Sequence, residues 1–73
     1  MIFSKRLRSQ EHTKAFFVEA DERGWEVREE DNHLVVKRTR MQDWHHVENA
    51  IRRFAREAAQ LQRAGWVETS NAV

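Results

Sequence analysis

His33 is the one titratable side chain that the pattern places on an exposed turn, beside Asp31 and Asn32, where a general base could act. A lone imidazole with no nucleophile or orienting carboxylate at a defined spacing is not a catalytic constellation. The expectation is a non-enzyme, with His33 as a minor candidate. His45 and His46 suggest a metal, but helical neighbours point about 100° apart and cannot easily share an ion. His45 with Glu48 supplies too few ligands for zinc. The chain has no Cys, so thiolate sites and disulfides are excluded. No metal or cofactor is expected, and a chain without Cys fits a reducing cytoplasm.

The most patterned feature is a stretch from Asp43 to Ala64. Trp44, Val47, Ile51, Phe54, Ala58 and Leu61 recur at helical spacing and form one apolar stripe. His45, Arg52, Arg56 and Arg63 fall on the opposite face, flanked by Asn49 and Gln60. That basic stripe could follow a phosphate backbone or dock an acidic partner. Glu48 and Glu57 border it and dilute its potential. Asp43 is placed to cap the helix and Gly65 to end it.

The elements that would position these residues read as follows. Ile2 to Arg8 reads as a short strand that leaves Ser9 to cap the next element, although Phe3 and Leu7, four apart, also suit a helix. Gln10 to Arg23 reads as a helix through Thr13, Phe16, Phe17 and Ala20, stopped by Gly24. Its end would then be acidic, with Glu19, Asp21 and Glu22 where the helix dipole favours cations. The arginines of the later helix are the obvious partners. Trp25 to Arg40 reads as a hairpin turning at Asp31-Asn32. That register pairs Glu30 with His33, Val27 with Val36 and Trp25 with Arg38, and sets Glu26 opposite Lys37. One face would carry Trp25, Val27, Leu34 and Val36 for the long helix to cover. Trp66-Val67-Glu68 suggests a last short strand, and residues 69–73 a frayed tail. The expectation is an α+β two-layer sandwich of helix, β-hairpin and long helix with a short strand at each end, βαββαβ in ferredoxin-like order, forming one domain over residues 1–73.

Helix, Gly24-Trp25, strand, turn, His33, strand resembles the start of HicA-type RNA-cleaving toxins, in which a His opening the second strand is catalytic. The run from Gly24-Trp25-Glu26-Val27 through the hairpin to Asp43-Trp44 resembles pterin carbinolamine dehydratases. Their His-His-Pro signature after the helix is replaced here by Gly65-Trp66-Val67. Neither resemblance carries an active site over to this chain.

With 13 basic and 12 acidic residues among 73, the net charge of +1 is not that of a dedicated duplex binder. No apolar run approaches the ~18 residues of a membrane span. The basic start, with Lys5, Arg6 and Arg8, lacks the apolar segment of a signal peptide. A cytoplasmic location without membrane contact is the default. So short a chain buries a thin core, which makes association a natural source of stability. The long helix, about 33 Å, would overhang hairpin strands of about 20–27 Å. Ala58, Leu61 and Trp66 would then be available to a second copy. The function expected is a non-enzymatic interaction module that self-associates through the long helix or a sheet edge, or else docks a protein with an acidic surface. The alternative is RNA or single-stranded nucleic-acid binding through the arginine stripe.

Overall fold

The computed structural model describes residues 1–69. It contains β1 (Phe3–Ser9), β2 (His12–Asp21), β3 (Gly24–Asp31), β4 (Leu34–Met41), α1 (Trp44–Arg63) and β5 (Val67–Glu68). The strands form one 5-stranded sheet in the order β4-β3-β2-β1-β5, with every neighbouring pair antiparallel. Consecutive hairpins therefore precede a lone helix, and the expected ferredoxin-like βαββαβ order is incorrect.

The difference lies in residues 10–23, which form the central strand β2 rather than a helix. Thr13, Phe16, Phe17 and Ala20 do satisfy helical spacing. The neighbouring run Ala15-Phe16-Phe17-Val18, however, is buried throughout. In a strand its side chains alternate, so Phe16 and Val18 face the helix while Ala15 and Phe17 face the other way. A strand covered on both sides reads as a continuous apolar run, and a short one can mimic a helix face. The carboxylates at its end then need no helix dipole to oppose. Glu19 lies beside Arg28 of the adjacent β3, and Asp21 beside Arg40 of β4, one strand further on.

Each hairpin turns within two residues, as the closing pairs Ser9–His12, Asp21–Gly24 and Asp31–Leu34 require. The β3–β4 turn is Asn32-His33, both at positive φ (52° and 69°), as a mirror-image turn demands. It lies one residue beyond the expected Asp31-Asn32 turn, so Glu30 pairs with Val35 instead of His33. An irregularity between Glu29 and Glu30 then sets Lys37, not Val36, opposite Glu29. That extra residue exchanges the faces of the rest of β4. Thr39 and Met41 lie opposite Val27 and Trp25 on the helix side. Arg38 and Arg40 lie opposite Arg28 and Glu26 on the other. The expected Glu26–Lys37 pair and the Leu34/Val36 contribution to the core are both lost.

The helix covers one face of the sheet. Val47, Ala50, Phe54 and Ala58 meet Leu7, Phe16, Val18 and Val27 in a single cluster. The Phe16 and Phe54 rings are 4.8 Å apart, and Trp44 lies 5.5 Å from Trp25 at the helix start. Asp43 caps the helix by accepting from the His45 N–H at 2.9 Å. At the other end Gly65 takes φ 103°. The Gly65 and Trp66 amides donate to the Gln62 and Leu61 carbonyls at 3.1 and 2.9 Å, a Schellman closure. That turn brings β5 alongside β1. The Thr69 amide, expected in a frayed tail, donates to the Arg6 carbonyl at 2.8 Å. The rest of the expected tail, 70–73, lies outside the described residues. Among the described residues no helix is long and apolar enough to cross a membrane.

Candidate functional site

The sheet face away from the helix is a charged surface that closes on itself. Arg28 lies at its centre, donating to Glu26 at 3.0 Å and Glu30 at 3.1 Å, with Glu19 at 3.8 Å. Its guanidinium also lies 4.7 Å from the centroid of the Phe17 ring, and that of Arg6 lies 5.7 Å from the same ring. Phe17 is therefore only 6% exposed on a face with no helix over it. Arg38 reaches Glu26 at 3.6 Å, and Arg40 pairs with Asp21 at 2.6 Å. The Arg40 hydrogen bond, helped by the Arg23 amide, holds the Asp21 carboxyl below the usual aspartate range. Arg28, Arg38 and Arg40 each meet a carboxylate here, whereas the buried Nε of Arg6 has no hydrogen-bond partner among the described residues. This lattice was hidden in the sequence because it requires residues 12–21 to be a strand between β1 and β3.

The outer face of α1 is different. His45, Arg52, Arg56 and Arg63 are all exposed, as is Arg53. At about 100° per residue, His45, Arg52, Arg56 and Arg63 share a sector opposite the buried Val47, Ala50, Phe54 and Ala58. Among the described residues none of these arginines forms an ion pair, and His45 lies 3.8 Å from Glu48. The expected supply of carboxylates from Glu19, Asp21 and Glu22 is not brought near them, because Glu19 and Asp21 belong to the sheet lattice. Arg53 stays close to the helix, 5.4 Å from the centroid of the Phe54 ring.

The residues expected to form a helical overhang have partners in this chain. Ala58 is 2% exposed in the core, and Leu61 and Trp66 pack against it half-buried. The strand β1, with Phe3 and Leu7, takes up the second half of the helix. His33 stands exposed in the β3–β4 turn. Shallow depressions lie at two ends of hairpins. One, about 420 Å³, is lined by Asp21, Glu22, Arg23 and Arg40, and the other, about 240 Å³, by residues that include His12, Asp31 and Trp66. Among the described residues no cluster of His and carboxylates could hold a metal ion.

The remaining feature is β4, an outer strand of the sheet. Leu34, Val35 and Val36 on it are 71%, 45% and 57% exposed. Such edges usually carry charge, Pro or a covering loop, because their free N–H and C=O groups template further pairing. Here the first three residues of the strand are aliphatic, and its basic residues, Lys37, Arg38 and Arg40, follow them. Apolar alternation alone could not single out this segment, since the same residues were equally suited to the core. No protein-family model, curated protein or solved structure matches this chain.

Proposed function

We propose that this protein is a non-enzymatic interaction module that self-associates by pairing β4 with β4 of a second copy. The observation that carries this reading is the aliphatic run Leu34-Val35-Val36, exposed on an outer strand. Charge favours one antiparallel register, centred between Val35 and Val36. Val36 would face the partner's Val35 and Lys37 its Leu34, where β4 begins, which keeps the basic ends of the two strands apart. Registers centred nearer Arg38 would oppose like charges directly. Pairing would hide the exposed aliphatics and add surface burial that so short a chain gains little of alone.

Sedimentation equilibrium tests the reading. The wild-type protein is expected to dimerise in the micromolar range. Val36→Lys, which adds a cation beside Lys37 at an already exposed position, is expected to be monomeric with an unchanged far-UV circular dichroism spectrum. A wild-type protein that stays monomeric at high micromolar concentration refutes the proposal, as does a Val36→Lys variant that dimerises equally well.

A further inference from the structure

We infer that the outer face of α1 is a binding surface for the phosphate backbone of duplex nucleic acid, read without regard to base sequence. The net charge of +1 conceals a local concentration of cations on the helix. On the sheet, Lys5, Lys14, Arg28, Arg38 and Arg40 each lie within ion-pair distance of a carboxylate of this chain. On the helix, Arg52, Arg53, Arg56 and Arg63 have no such partner among the described residues, and Glu48 and Glu57 are the only acids within the helix itself. Arg6, Arg8, Arg23 and Lys37 also lack an ion pair among the described residues, but they are dispersed over the strands and turns, whereas Arg52, Arg56 and Arg63 share one sector of a single helix, facing away from the core.

The spacing and surroundings of these arginines favour a duplex over a single strand. Arg52, Arg56 and Arg63 run along about 16 Å of straight helix, and His45 extends the line to about 27 Å. Single-strand binders interleave such cations with aromatic platforms on which bases stack. No aromatic residue lies in this sector of the helix. Phe17 is covered by arginines on the far side of the sheet, and Trp44 packs on Trp25. A surface of guanidinium groups without stacking partners can contact phosphates but cannot read unpaired bases.

Self-association deepens this reading, and this part rests on the β4 pairing proposed above. Antiparallel strands in a continuous sheet are related by a twofold axis perpendicular to it, so opposite residues keep the same face. A β4–β4 dimer would therefore present both helices, and both arginine stripes, on one side. The lattice around Arg28 would occupy the other side of the dimer.

Fluorescence anisotropy with a short labelled duplex DNA tests both parts. If each stripe contributes the three arginines of its line, the dimer should show a slope of log affinity against log salt of about −5, a loss on the order of a thousandfold for a fourfold rise in salt. The monomeric Val36→Lys variant should show a slope of about −3, despite its added cation. The triple variant Arg52→Gln, Arg56→Gln, Arg63→Gln should lose binding while keeping its melting temperature, since all three side chains are exposed. Absence of wild-type binding at low salt overturns the inference, as does undiminished binding by the triple variant. Tighter binding of a single strand than of the duplex overturns the assignment of ligand. A wild-type slope near −3 in a monomeric protein, abolished in the triple variant, supports the helix surface while refuting the β4 dimer.

Discussion

Arg28 is the residue whose removal best tests whether the open sheet face is held by its own charges. Its side chain is 19% exposed and bonded to Glu26 and Glu30, whose side chains are 22% and 17% exposed. It also covers Phe17. Arg28→Ala deletes the hydrogen bonds to two largely buried carboxylates, each worth ~1.5–3 kcal/mol when an ion is involved. It also deletes a cation–π contact worth ~0.5–2 kcal/mol. The more exposed Glu19 adds little, because solvent screens that pair. Removing Arg28 lets water reach the freed carboxylates, which recovers part of the loss. A net destabilisation of about 2–3 kcal/mol follows, corresponding to a fall in melting temperature of about 10–20 °C for a domain of this size. Arg28→Met keeps an unbranched cover over Phe17 and should lose less than Ala. Arg28→Lys keeps the charge without the planar fork and should lose least. Urea unfolding followed by circular dichroism at one fixed protein concentration gives the values, since a dimer's stability depends on concentration. Added salt should recover part of the Arg28→Ala loss by screening the repulsion among Glu19, Glu26 and Glu30. A loss below about 0.5 kcal/mol for Arg28→Ala, or Lys proving worse than Ala, would refute the argument that this lattice stabilises the sheet.

The glycines make a contrasting pair. Gly24 has φ 125°, and a Cβ there would lie 2.5 Å from the Met41 carbonyl oxygen, whereas Gly65 has φ 103° with open space around it. Gly65→Ala should cost about 1 kcal/mol in backbone strain alone, and Gly24→Ala clearly more, because the Met41 backbone must also move; equal losses in chemical denaturation would contradict the β3–β4 geometry. Asp21 gives a pH test. Its carboxyl is held below the ordinary aspartate range chiefly by Arg40, so its contribution to stability is present above the unfolded pKa and lost as pH falls through the folded value. Carboxyl titration by nuclear magnetic resonance should show the Asp21 midpoint rising towards the ordinary range in Arg40→Gln, and an unmoved midpoint would remove Arg40 as the cause.

Local chemistry sufficed for the second half of the chain. Asp43 as cap, the apolar stripe from Val47 to Ala58 and the Gly65 stop follow from spacing and capping preferences within a few residues, whereas the short strand after them is completed only by its pairing with β1. The first strand was expected as well, but for a reason that does not hold, since Ser9 was to cap a helix and a strand follows it instead. Residues 12–21 were not legible as a strand. Phe16 and Phe17 are adjacent and apolar, which suits both a helix stripe and a strand buried on both faces. Only the presence of β1 and β3 on either side, with Arg6 and Arg28 over Phe17, makes the strand the better solution. The same holds for β4. Its aliphatic start could have faced the helix, but the Asn32-His33 turn and the extra residue before Lys37 send Thr39 and Met41 inward instead. The arginine stripe on α1 was visible as a pattern from the start. Whether its charges were free was decided by the tertiary structure, because Glu19 and Asp21 are held in the sheet, away from the helix's outer face.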